Sequence, residues 1–288
     1  MEKIFLGNTG YAIAPVVFGG IINRTESQAD ANRFVAHGVE RGVNYYDVAP
    51  NYGDAEERLG VALEPYRKDA FLACKTARRD AAGAKEDLLT SLRRLRTDYF
   101  DVYQIHAVQT DADVDAIFAK NGAMETLQWA KKEGIVRKLG ITAHSEEHAL
   151  RCLDIFDFDT VLFTMYWVPG VLRGIGDKLA AAAKAKNIGL LCMKVLTYRA
   201  WRDDEAKPAD TRQWYKYVKF GSPLALAVMK YCLSKGDALV PPGNFEAFRY
   251  MLDHIDEAVA NPLTQNDLDL LYEEANKIKE YELPLIGI

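Results

Sequence analysis

The sequence predicts an α/β fold: a parallel (β/α)8 barrel, a TIM barrel, with an N-terminal β-hairpin and one extra C-terminal helix. Three observations carry that reading. Eight short apolar runs, rich in β-branched and aromatic residues, alternate with eight stretches whose apolar residues recur every three or four positions. Each strand–helix unit takes roughly 36 of the 288 residues, the span of a barrel unit. No G-x-G-x-x-G follows the first strand, which argues against an open, doubly wound sheet.

The elements follow in order. KIFLGNTG and YAIAPVV form the opening hairpin, with residues 8–10 supplying the turn. The eight expected strands are VVFGG (16–20), VNYYDV (43–48), AFLACK (70–75), YFDVYQIH (99–106), KLGITAH (138–144), TVLFTM (160–165), GLLCMKVL (189–196) and ALVPPG (238–243). The expected helices lie at 27–42, 54–66, 85–97, 122–134, 145–156, 177–189, 222–236 and 244–258. The first starts on a Ser cap and stops at a Gly. The tail, 261–288, adds an amphipathic helix that packs outside the barrel or overhangs its mouth. No Pro/Gly/Ser-rich linker or charge block divides the chain, so residues 1–288 are expected to form one barrel domain.

Composition narrows the function. The net charge is −5 and the basic residues are dispersed, which argues against a nucleic-acid partner. No apolar run reaches transmembrane length, and MEKIFLGNTG lacks the basic-then-apolar layout of a signal peptide. Cys74, Cys152, Cys192 and Cys232 show no metal-like spacing and read as buried free thiols. A cytoplasmic location and no membrane partner are expected.

Chemistry gathers at the strand ends. Asp47 closes the second run, Tyr52 follows it in the loop APNYGD, Lys75 closes the third run and His106 the fourth. Parallel sheets place their chemistry at these carboxyl ends. Hydride transfer to a carbonyl leaves negative charge on oxygen, so a proton or a strong hydrogen bond must be supplied there. A tyrosine can supply it. An ammonium such as Lys75 is expected to lower the phenol's pKa, and Asp47 to keep that lysine charged despite burial. His106 can donate to the substrate oxygen or relay a proton. Taken singly, Asp47 also reads as a helix-cap or loop-ordering acid, and Tyr52 and His106 read first as a loop aromatic and a structural histidine; their joint occurrence on three consecutive strand ends favours a site.

G-V-N-Y-Y-D-V-A-P-N-Y-G, F-L-A-C-K-T and D-V-Y-Q-I-H closely resemble the signatures of the aldo-keto reductase superfamily, and the resemblance covers nearly the whole chain. It implies a barrel that binds a nicotinamide cofactor, NADP(H) with NAD(H) as a second possibility, and acts on a small-molecule carbonyl or alcohol without a metal. By that resemblance Tyr52 is the general acid/base, Lys75 tunes it, Asp47 pairs with Lys75 and is a cofactor contact, and His106 orients the carbonyl.

The resemblance also places cofactor contacts at Gly19, Gly20, Thr142, Ala143, Leu162, Met193, Lys194, Gly243, Asn244 and Arg249. Several depart from the family pattern. Ala143 stands for the usual Asn, Leu162 for a Gln, Met193 or Lys194 for an aromatic, and Gly243 for a Lys; Asn244 replaces a Ser, while Arg249 keeps its place. Two alternatives remain at this level: an epimerase-type enzyme that holds its cofactor, and a cofactor-binding regulatory module such as the potassium-channel β-subunits that resemble this family.

Other residues carry weaker expectations. His144 and His148, four apart, lack the acid and third ligand of a metal site. Glu56 and Glu57 read as acids at a helix N-terminus. Trp167, Tyr198, Trp201, Trp214, Tyr215 and Tyr217 fall in or beside the loops after strands six and seven and divide between pocket lining and loop core.

Overall fold

The computed structural model describes residues 1–207 and 214–282. Eight parallel strands, hydrogen-bonded in chain order, form the central sheet. They are β1 (Phe18–Gly19), β2 (Tyr45–Asp47), β3 (Phe71–Thr76), β4 (Phe100–Val108), β5 (Val136–Ala143), β6 (Thr160–Thr164), β7 (Gly189–Met193) and β8 (Ala238–Leu239). A parallel bridge between Val16 and Leu239 joins the first strand to the last, with Val17 N donating to Leu239 O at 2.9 Å and Leu239 N to Pro15 O at 2.9 Å. The sheet therefore curls round until its two edges meet.

Alternation sorts the side chains. Val17, Tyr45, Ala73, Val102, Leu162, Leu191, Ala238 and Val240 pack together inside the ring. Residues of opposite parity, such as Tyr46, Leu72, Cys74, Tyr103 and Ile105, join the larger layer between strands and helices. This period of two fixes which polar residues point inward. The opening hairpin, Ile4–Phe5 against Ala12–Ile13, sends Leu6 and Ile13 into the inner cluster. It stands at the strands' amino ends, where Tyr11 stacks on Phe71 at 4.3 Å.

The helices lie between the strands. They are α1 (Gln28–Glu40), α2 (Ala55–Leu63), α3 (Ala81–Arg94), α4 (Asp111–Phe118), α5 (Ala123–Lys132), α6 (Glu146–Ile155), α7 (Trp167–Arg173), α8 (Asp177–Lys186), α9 (Pro223–Leu233), α10 (Phe245–Ala260) and α11 (Gln265–Ile278). Caps set many of their starts. Ser27 accepts from Asp30 N, Asp80 from Gly83 N, and Thr110 and Thr264 close reciprocal boxes with Asp113 and Asp267. α11 is the expected extra helix and packs on α7 and α9. The last six residues of the expected tail segment, 283–288, lie outside the described residues.

Three details differ from the sequence expectation. The crossovers after β4 and β6 each hold two helices, since α4 and α7 precede the expected ones. α3 starts at Ala81, four residues early, because Asp80 caps it. Strand seven stops at Met193 rather than at 196, since Lys194 (φ 61°) and Leu196 (φ 64°) take left-handed backbone. The chain then forms an antiparallel ribbon, Thr197–Ala200 with Tyr215–Tyr217.

Candidate active site

A cavity of about 530 Å³ opens at the carboxyl ends of the strands. Asp47, Tyr52, Lys75 and His106 all line it, together with Gly19, Thr142, Leu162, Met193, Lys194 and Gly243 from the expected cofactor set.

Register explains how the polar residues meet. Lys75 and Gln104 are direct partners on β3 and β4, and Asp47 pairs with Ala73, two residues before Lys75 on the same face. Lys75 is fully buried and donates to Asp47 Oδ1, as well as to Val48 O at 3.1 Å. Gln104 Nε2 donates to Asp47 Oδ2 at 2.7 Å. Both carboxylate oxygens are therefore held, each by a different strand. Burial alone would pull the Lys75 ammonium down, but Asp47's charge, the Tyr52 phenol and the hydrogen bond lift it above its ordinary value. The pair thereby favours the charged form of a lysine in the interior.

Tyr52 stands over this pair in the loop before α2. The Lys75 ammonium lies 5.1 Å from its ring centroid, and the His106 ring meets it edge-on at 5.9 Å. Burial pushes the phenol above its ordinary 10; Lys75's charge pulls it down, Asp47's pushes it up, and the balance is upward. Lys75 acts in the expected downward direction, through its charge and a hydrogen bond, but burial outweighs it. Desolvation of a phenolate outweighs a lysine whose charge is largely compensated by Asp47. Tyr52 is thus a protonated donor at neutral pH.

His106 is aimed by a backbone irregularity. The β4–β5 register shifts between Ile105 and Val108, and Ala107 has φ 54°. Arg79 clasps the bulge: its Nη1 donates to His106 O at 2.9 Å, its Nη2 to Ala107 O at 3.1 Å, and its Nε to Asp113 Oδ1 at 2.8 Å. From the other side Ala107 N donates to Thr142 Oγ1 at 2.7 Å. Burial, then the charges of Lys75, His144 and Arg79, push His106 well below 6.5. The neutral ring is a hydrogen-bond donor at physiological pH, which disfavours the relay role.

Four expected cofactor residues do not line this cavity. Ala143 faces the outer apolar layer, as its parity requires. Gly20 lies against β2, where an added Cβ would come 2.9 Å from Asp47 O. Asn244 spends its Oδ1 capping α10, accepting from Ala247 N at 2.8 Å. Arg249 is exposed on α10 and makes no hydrogen bond or ion pair among the described residues. Of the loop aromatics, Trp214 and Tyr215 line the cavity, whereas Trp167 is buried with its indole N–H on Thr197 O at 2.7 Å.

Two further expectations separate in space. His144 lines the cavity with Nδ1 at 3.3 Å from Thr164 Oγ1, while His148 bonds Ser145 Oγ at 2.7 Å on α6. Glu56 sits in the first turn of α2, yet is buried and paired with Arg94 at 3.0 Å. All four cysteines are buried free thiols.

Gln104 and Arg79 were missed in the sequence. Gln104 carried a usable signal: it lies two residues before His106, so it shares the inward face of an otherwise apolar strand. Arg79, in a loop, carried none.

The cavity's polar groups suit a ligand with an apolar ring and an anionic part. Leu162, Met193 and Val240 offer apolar wall, Thr142 a hydroxyl, and Lys194 a buried ammonium with no acceptor among the described residues.

Residues 15–280 match the family model of the aldo/keto reductase family, and the chain belongs to that family of oxidoreductases. Among curated proteins it is 29% identical over 257 residues to L-galactose dehydrogenase of Arabidopsis thaliana, covering 82% of this chain and 76% of that one. It is 32% identical over 157 residues to the uncharacterized oxidoreductase YqkF of Bacillus subtilis, covering 50% and 49%; that match spans about half the length of the relative. Among solved structures, the holo form of aldo-keto reductase AKR11C1 from Bacillus halodurans superimposes with a TM-score of 0.71 at 22% identity, covering 96% of each chain. The glycerol dehydrogenase AKR11B4 from Gluconobacter oxydans gives 0.71 at 18% identity, covering 100% and 99%. At those identities the structures attest the fold. No helix among the described residues is long and apolar enough to cross a membrane.

Proposed function

We propose that this protein is a cytoplasmic, NAD(P)(H)-dependent oxidoreductase that transfers hydride between nicotinamide and a small carbonyl or alcohol substrate, with Tyr52 as general acid/base. The observation that carries the reading is the Tyr52 phenol standing over the buried Lys75–Asp47 pair and edge-on to His106, on one wall of the cavity.

The residues fit a nicotinamide cofactor: Gly19 and Gly243 bring bare backbone to the cavity, Met193 and Leu162 offer apolar contact for a ring, and Thr142 and Lys194 offer donors. When bound, the reduced cofactor supplies a hydride to the carbonyl carbon. Tyr52 gives its phenolic proton to the carbonyl oxygen, so that an alcohol leaves. The phenolate formed is stabilised by the Lys75 ammonium beneath it and is reprotonated from solvent. His106, held neutral, donates an N–H to the same oxygen and fixes its direction. In alcohol oxidation each step reverses.

Arg249 supports a modest preference for NADP(H), as an exposed guanidinium near the start of α10 with no ion pair among the described residues. Buried free thiols accord with a reducing compartment.

Cofactor consumption with a panel of aldehydes, ketones, aldoses and alcohols tests the reading. Wild type should turn over, and Tyr52→Phe should fold, retain cofactor affinity and lose roughly 10²–10⁴-fold in rate. Near-normal turnover by Tyr52→Phe removes its assigned role. Cofactor binding without turnover across the panel would favour a regulatory module, and tightly retained cofactor with stereochemical inversion an epimerase.

A further inference from the structure

One charge on the cavity wall has no task in this proton transfer. Arg24 follows β1, is half-buried and lines the cavity. Its side chain makes no hydrogen bond or ion pair among the described residues. Two contacts fix it beside Tyr52. A Cβ at Gly53, the next residue after Tyr52, would meet Arg24 Cγ at 3.6 Å, Nε at 3.7 Å and Cδ at 4.0 Å, so the side chain runs along the Tyr52 loop. Thr25 N donates to Asp54 Oδ1 at 2.8 Å and ties the loop after β1 to that same loop. Thr25 itself holds a left-handed φ of 63°, a costly backbone for a β-branched residue, which these contacts maintain.

The acids within reach are engaged. Asp54 holds Thr25 N and pairs with Arg58 Nε at 3.4 Å. Asp47 is the acidic residue of the described lining, and its two oxygens are taken by Lys75 and Gln104. Against it stand Arg24, Lys75 and Lys194. Position says what Arg24 faces. Thr142, Leu162, Met193, Lys194 and Gly243 come from the strands and strand ends of β5 to β8, whereas Tyr52, Lys75 and His106 belong to β2, β3 and β4 and the loop after β2. Arg24 is clasped to the Tyr52 loop. A carbonyl whose oxygen meets Tyr52 and His106 extends from there to the rim, where Ile21, Asn51 and the 45% exposed Trp214 line the cavity with Arg24.

We propose that Arg24 is a specificity-determining residue: it reads a carboxylate or phosphate at the end of the substrate remote from the reacting carbonyl, while Ile21 and Trp214 wall the apolar part between. A guanidinium suits either anion, gripping it through two parallel N–H donors. The inference rests on the oxidoreductase reading above and narrows its substrate class.

Ratios of kcat/KM test it. 4-Formylbenzoate over its methyl ester probes the carboxylate, and glyceraldehyde 3-phosphate over glyceraldehyde the phosphate. At least one ratio should favour the anion in wild type, fall about tenfold or more in Arg24→Met, and recover in part in Arg24→Lys, which keeps the charge without the fork; the ratio that responds names the anion. Calorimetric titration of malonate in the presence of saturating NADP+ reads the same subsite without turnover, and should show binding roughly 10- to 100-fold weaker in Arg24→Met. If neither ratio moves, the assignment is overturned whatever malonate does; weaker NADPH binding by Arg24→Met would then show that the guanidinium serves the cofactor. If wild type reduces none of the four compounds while malonate binding still depends on Arg24, the oxidoreductase reading fails and the anion subsite stands. Without turnover, malonate binding that ignores Arg24 overturns the subsite too.

Discussion

At the scale of single residues, the site depends on charges held where water would not leave them alone. Lys194 shows the cost. Burial lowers its pKa from 10.5 to about 8, so between those values the folded chain binds fewer protons than the unfolded one. The destabilisation is complete below pH 8 and is relieved as pH rises toward 10.5. Lys194→Met should therefore be more stable than wild type by about 3 kcal/mol at pH 7. Denaturant unfolding across pH should show that gain shrinking between pH 8 and 10.5; a constant difference would mean the ammonium is not the source. Gln104 acts through Asp47. Gln104→Met keeps the volume and removes the donor to Oδ2, which leaves Asp47 more strongly negative toward Tyr52. Since Asp47 already raises the phenol, the alkaline limb of carbonyl reduction should move to higher pH. Gln104→Glu, able to donate only when protonated, should restore the wild-type profile at low pH alone. An unmoved limb in both variants would reduce Gln104 to packing.

At the scale of elements, short strands position the chemistry and loops complete it. Arg79 reaches from the end of β3 to hold both carbonyls of the β4 bulge. Arg79→Ala should cost about 2–3 kcal/mol of stability, as loss of charge-assisted hydrogen bonds does, and lower kcat because His106 loses its fixed direction. Parallel thermal unfolding and turnover measurements check both; full activity with reduced stability would show that Thr142 alone sets the bulge. What the sequence disclosed follows the same division. The eight strands were legible because buried parallel strands need uninterrupted apolar runs, and Asp47, Lys75 and His106 because polar residues ending such runs are conspicuous. The hinge at Lys194 was not legible, since a lysine carries no sign of left-handed backbone as a glycine would. Nor were the second helices α4 and α7, which occupy long crossovers without changing the order of strands.

At the scale of the whole molecule, the barrel separates two kinds of recognition. Its interior decides chemistry, while α10, outside the ring, carries the expected reader of the cofactor's 2′-phosphate. Arg249 is exposed, so its contribution is that of a screened charge-assisted contact, about 1.5–3 kcal/mol at most. Wild type should favour NADP(H) over NAD(H) by roughly 10- to 100-fold or less, and Arg249→Ala should erase that margin while leaving NAD(H) binding nearly unchanged. Equal losses for both nucleotides on titration would show that Arg249 does not read the phosphate. The net charge of −5 spread over the molecule makes the cationic cavity a local feature, detectable as a steep salt dependence of anion binding.

The seam between Val16 and Leu239 joins the first strand to the last, and this sets a timetable for synthesis. A ribosome delivers Asp47, Tyr52, Lys75 and His106 at least 133 residues before Leu239, yet the edge of β1 keeps no partner until Leu239 has emerged. At roughly 5–20 residues per second that interval lasts on the order of ten seconds. During it the nascent chain carries an unpaired sheet edge and an apolar interior open on one side, a configuration prone to pairing with other chains. Leu239 is thus a late-arriving latch, and chains released before it should be found with chaperones or in aggregates.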